Sequence, residues 1–113
     1  MVRNITRGVV LADSADLADT SKTRRVGLLK HTGLNVGEAL WIVPCESVHS
    51  FFMKFTIDVL YLDRNKKVKG CRHQMKPWRV SACLLSRSVL ELPAGMIERS
   101  GTKKGDQLAF EKI

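Results

Sequence analysis

The sequence predicts a mainly β domain, a β-rich α+β fold in which a compact barrel or sandwich carries one short helix packed on it. Three observations lead there. Apolar residues gather in short runs rich in Val, Ile, Leu and Phe, with Asp, Asn, Gly and Pro punctuating them. Only one segment carries start and stop signals of a helix. The 113 residues suffice for a single domain, residues 1–113, with its own core, and no repeat or linker divides them.

Residues 5–12 read as a first strand that ends at the turn-forming pair Asp13-Ser14. Residues 15–18 form a short apolar piece that returns beside it as a hairpin. Asp19, Thr20 and Ser21 then offer capping oxygens for a helix over residues 22–30, with Val26, Leu28 and Leu29 as its apolar stripe and Gly33 as its stop. Gly27 inside that helix costs about 1 kcal/mol against Ala, which points to a close backbone contact. Residues 39–43 are a continuous apolar run ended by Pro44. Residues 51–62 are the most apolar region but exceed the length of an ordinary strand, so a bulge or tight connection at residues 54–56 is expected. On an ideal strand Phe51, Met53, Phe55, Ile57, Val59 and Tyr61 would share one face. A turn at residues 63–66 lets residues 67–75 pair back, residues 89–92 form a further strand closed by Pro93-Ala94-Gly95, and residues 107–110 form the last.

Composition narrows the function classes. Nineteen Lys and Arg against eleven Asp and Glu give a net charge of +8, which suits an anionic partner. Three cysteines, Cys45, Cys71 and Cys83, make an odd, widely spaced set and not a disulfide framework. No apolar leader segment follows the basic N-terminus, so a cytoplasmic location is expected. No apolar run approaches the ~18 residues of a membrane span, and no membrane partner is expected. Glycine-rich phosphate loops, paired Cys-x-x-Cys motifs and His-Glu-x-x-His are absent.

One block of residues carries a resemblance. Arg24-Arg-Val-Gly-Leu-Leu is followed by His49-Ser-Phe-Phe-Met-Lys-Phe-Thr-Ile-Asp-Val-Leu-Tyr-Leu-Asp63, then Pro77-Trp78-Arg79, Val89-Leu-Glu-Leu-Pro-Ala-Gly95 and Gly105-Asp106. In order and spacing this resembles the domain-of-unknown-function family 192 of bacteria and archaea, over nearly the whole chain. The resemblance implies a small β-barrel or β-sandwich with one or two short helices; it implies no established activity.

Several constellations compete for a function. His49, Lys54 and Asp58 are polar groups inside the most apolar stretch, and a buried charge there must find a partner, for which Arg24 or Arg79 is available. Cys45 with His49, and Cys71 with His73, could in principle bind zinc, but their spacing matches no structural zinc motif and Arg72 lies between the second pair. Neither a metal nor a cofactor is expected. Cys45 with His49 and either Asp58 or Glu46 is the one nucleophile–base arrangement that can be assembled, for a hydrolase or transferase. Arg64 opens and Arg79 closes a stretch in which seven of sixteen residues are Lys or Arg and none is acidic, with Trp78 inside it. That pattern fits a surface for RNA or for a protein partner, though a solvated hairpin explains it as well, and nucleic acid is not favoured. The leading expectation is a small binding module without catalysis, holding an anionic or sugar-like small ligand in a pocket at an open barrel end. Phe51, Met53 and Trp78 would line it, with Trp41 beside them, and Arg24, His49, Lys54, Asp58 and Arg79 would supply the polar groups.

Overall fold

A computed structural model describes residues 1–111 and is mainly β, in two open sheets and a ribbon. The chain begins as a hairpin of β1 (Val2–Asn4) and β2 (Val9–Ala12), and β10 (Leu108–Phe110) pairs with the free side of β1. The expected strand over residues 5–12 is therefore a turn followed by β2. Its cause is Asn4, whose Oδ1 accepts from the Arg7 amide while its carbonyl accepts from Gly8, a glycine at φ 69°.

The central sheet has the order β3 (Ser14–Ala18), β4 (Glu38–Ile42), β9 (Ser88–Pro93), β6 (Ile57–Leu62), β7 (Val68–Met75). Residues 15–18 do not return as a hairpin: β3 pairs in parallel with β4, residue by residue from Ser14↔Glu38 to Ala18↔Ile42. Parallel strands need a crossover, and α1 (Ser21–Val26) sits in it. Thr20 caps α1, its Oγ1 accepting from the Thr23 amide while the Thr23 hydroxyl accepts from the Thr20 amide, both at 3.0 Å. The helix is shorter than its sequence suggests. Gly27, at φ 48°, ends it, and no α1 residue is buried; Leu28, just beyond, provides the anchor. Packing of one helix on the sheet thus falls mainly to α2 (Met96–Ser100), which buries Met96 and Ile97 and which the sequence did not announce.

The long apolar region also divides. Residues 51–56 form turns, so Phe51 is turned to solvent, while Met53 and Phe55 pack from this loop onto the cluster of Ile57, Val59 and Tyr61. Before them, β5 (Ser47–His49) pairs with β8 (Val80–Ala82) as a separate two-stranded ribbon. The β6–turn–β7 hairpin and the strands over residues 89–92 and 107–110 stand where expected. Lys67 and Gln107 bridge the two sheets along one side, but the sheets do not close into a barrel. The mainly β class is realised in open sheets.

Strand periodicity splits the core in two. On the inner face of the central sheet, Leu60, Leu62, Leu90 and Leu92 meet Val2, Leu11, Leu108 and α2. On the outer face, Leu40, Ile42, Ile57, Val59, Tyr61 and Val89 are covered by Leu28, Met53, Met75 and the ribbon.

Candidate functional site

The outer cover is incomplete. Between α1, the start of the ribbon and the outer face of the sheet lies a cavity of about 600 Å³. Arg24, Arg25, Cys45, His49 and Met53 stand around it, and Glu91 of β9 contributes from the sheet itself. Glu91 is in register with Leu40 of β4 and Val59 of β6, so strand pairing on both sides fixes its backbone in the middle of the sheet. It is 4% exposed. Among the described residues no hydrogen bond reaches its carboxyl, and no cation stands within ion-pair distance. Burial disfavours the charged form and pushes its pKa up to about 7.

The surrounding groups are held by their own elements. Arg24, in the last turn of α1, donates Nε to the Thr20 carbonyl at 3.3 Å and Nη1 to the Pro44 carbonyl at 3.2 Å, so the guanidinium joins helix to loop with donors to spare. The Cys45 thiol donates to the Ser47 carbonyl at 3.0 Å. Burial raises its pKa, and the Glu91 carboxylate adds to that while Arg24 pulls the other way. Tyr61 lies below, its hydroxyl donating to Ser81 Oγ at 2.7 Å and fastening the ribbon to the sheet; burial raises its pKa as well.

The structure gathers only part of the expected site. Arg24, His49 and Met53 border the cavity. Phe51 stands just outside, stacked on His49 at 5.0 Å, and Trp78 stacks on Phe51 at 5.7 Å. Arg79 is exposed and donates to the carbonyls of Pro77 and Trp78, and Lys54 is exposed away from the cavity. Asp58 is fully buried on the inner face, where Oδ1 accepts from the Gln74 amide and Oδ2 from the Ile97 amide, each at 2.8 Å. It is a clamp between β7 and α2, which separates it from Cys45 and His49. The Cys45–His49–Asp58 arrangement does not assemble, and the raised thiol is the opposite of an activated nucleophile. Trp41 also points inward, against Phe110 at 4.2 Å. Cys71 packs on the inner core and Cys45 on the outer, so the two Cys/His pairs face different sides of the sheet. The pocket itself lies against a sheet face under α1, not at a barrel end. Sequence reasoning missed Glu91; its signal was a lone carboxylate among the apolar residues of Val89-Leu-Glu-Leu-Pro.

Comparison with known proteins agrees with this fold. The family model DUF192, described as "Uncharacterized ACR", matches residues 2–110. The UPF0127 protein of Thermococcus gammatolerans is 34% identical over 118 residues, covering 98% of this chain and 75% of the relative. That of Pyrococcus furiosus is 30% identical over 116 residues, covering 97% of both. The crystal structure of a protein of unknown function from Novosphingobium aromaticivorans superposes with a TM-score of 0.78 at 21% identity, covering 85% of this chain and 74% of that one. At that identity the likeness concerns the fold alone.

Proposed function

The chain belongs to the domain-of-unknown-function family 192, and within that family we propose that it binds a small anionic, sugar-like molecule in the cavity beneath α1. The observation that carries this reading is the unpartnered Glu91 carboxyl in the cavity wall. That carboxyl faces the cavity and not closed protein, so a ligand hydroxyl entering there would hydrogen-bond it. The spare donors of Arg24 offer a place for the ligand's anionic group, and His49, backed by Phe51, offers a ring face for the apolar side of a sugar. A cavity of about 600 Å³ accommodates a molecule of that size. Lys54, Asp58, Trp78 and Arg79 take no part in the site.

Thermal-shift titration with glucose 6-phosphate, glucose and inorganic phosphate tests the reading. At ten times its dissociation constant a ligand of the native state adds about 1.4 kcal/mol, or about 5 °C for a domain of this size. Glucose 6-phosphate is expected to raise the melting temperature more than either fragment. Arg24→Ala should remove the advantage over glucose, and Glu91→Ala the advantage over phosphate. If hexose phosphates, uronic acids and neutral hexoses all leave the melting temperature unchanged at millimolar concentration, the reading fails.

A further inference from the structure

The β5–β8 ribbon presents a second surface, which adjoins the cavity at Ser47 and His49. In its register His49 stands opposite Val80 and Ser47 opposite Ala82, and all four are exposed. Past one end come Phe52, 71% exposed, and Trp78, in contact at 4.7 Å between ring centroids. Past the other come Leu84 and Leu85, 77% and 74% exposed. Val80 and Ala82 alternate outward along β8 with Leu84 two residues further on, so the apolar groups form one strip at this end of the molecule. Phe52, Trp78 and Leu85 each sit at φ 66°, an unfavourable region for bulky residues, at turns that turn the side chain outward. So large an exposed apolar strip calls for a partner.

Charge identifies that partner's chemistry. The segments that build the strip, residues 47–57 and 76–90, contain no Asp or Glu and carry the cations Lys54, Lys76, Arg79 and Arg87. The nearest acidic group on the ribbon, Glu46, is occupied by the Leu85 amide at 3.2 Å. We infer that this end of the protein docks on an anionic phospholipid surface, with Phe52, Trp78, Leu84 and Leu85 entering the headgroup boundary and Lys54, Lys76, Arg79 and Arg87 against the lipid phosphates. Interfacial attachment needs no spanning segment; it needs an apolar strip beside cations. A second copy of the chain would bring two cationic flanks together. Single-stranded RNA would use Trp78 and Phe52 for stacking but would leave Val80, Leu84 and Leu85 in water.

Co-sedimentation of the full chain with vesicles tests this. Binding is expected to an equal mixture of phosphatidylcholine and phosphatidylglycerol, far less to phosphatidylcholine alone, with the fluorescence of Trp78 moving to the blue. Leu84→Ser combined with Leu85→Ser should weaken partitioning by about tenfold or more, with an unchanged urea midpoint showing that the fold is intact. Lys54→Gln with Arg79→Gln should weaken it by about twenty-fivefold, at roughly fivefold per charge. No binding to the mixed vesicles overturns the inference, as does binding that the leucine variant leaves unchanged. A dimer that the leucine variant dissolves, or retention of a single-stranded oligoribonucleotide, in either case without vesicle binding, assigns the strip to those partners instead.

Discussion

The two faces of the central sheet treat buried carboxylates in opposite ways. On the side facing the small sheet, every one is answered. Asp58 accepts from two backbone amides, and Asp106, below β1, accepts from Asn4 Nδ2 at 3.0 Å, Arg7 Nε at 2.6 Å and the Lys103 amide at 3.0 Å. On the cavity side Glu91 has none of this. Burial pushes at Asp106 as it does at Glu91, but the bonds from Asn4, Arg7 and Lys103, with the Arg7 charge, outweigh it and hold Asp106 below the usual carboxylate range. Burial of a carboxylate is thus no mark of a site. A carboxyl turned to a cavity and given no hydrogen-bond partner by the fold is the better candidate.

The sharpest way to break the contrast is Asp58→Ala, which leaves two buried amides unpaired between β7 and α2. A loss of about 4 kcal/mol is expected in urea unfolding, whereas Glu91→Gln should cost nothing at pH 5.

A pH series sharpens the comparison, because the two kinds of carboxylate tilt stability in opposite directions. Glu91 is raised from 4.5 to about 7, so the folded protein keeps a proton that the unfolded chain has released. Its contribution is fully present below the ordinary value and disappears as pH rises through the folded one, a loss of about 3 kcal/mol. Asp106 is lowered, so its contribution is present above the ordinary carboxylate range and disappears as pH falls through its folded value. Denaturant midpoints measured from acid to mildly alkaline pH should therefore show a decline approaching neutrality that Glu91→Gln abolishes. A wild-type curve already flat across that window would show that Glu91 has a partner after all.

The smallest effect tests the roof of the cavity. Thr20→Ala removes the cap of α1 and should cost about 1 kcal/mol. Since α1 buries nothing, the variant should also weaken glucose 6-phosphate in the thermal-shift titration, while changes confined to the inner face should leave that titration alone.

How much of this was legible in the sequence follows from how local each cause is. The β6–β7 hairpin was readable because its turn, Asp63 to Lys66, and its apolar strands are contiguous. Thr20 was readable as a cap for the same reason. The parallel placement of β3 beside β4 was not, since it depends on a crossover closing over residues 19–37. Asp58 attracted a functional reading because sequence shows a charge in an apolar strand and cannot show the Ile97 amide, 39 residues away, that answers it. Glu91 has the same local appearance and a different fate, which only the two neighbouring strands and the gap beneath α1 reveal. Arg24, His49 and Met53 border one cavity; Trp78 reaches only the ring stack outside it, through Phe51, and Lys54 and Arg79 face solvent.

A roof that buries no side chain of its own has a dynamic consequence. The backbone of α1 is tied down by a cap, the two Arg24 contacts and Leu28, whereas β6 and β9 are buried along their whole length. Amide protons of α1 should then exchange through a local opening far cheaper than global unfolding, and those of β6 and β9 only when the whole domain unfolds. The cavity is already open beside α1, so such an opening would widen its entrance rather than create it.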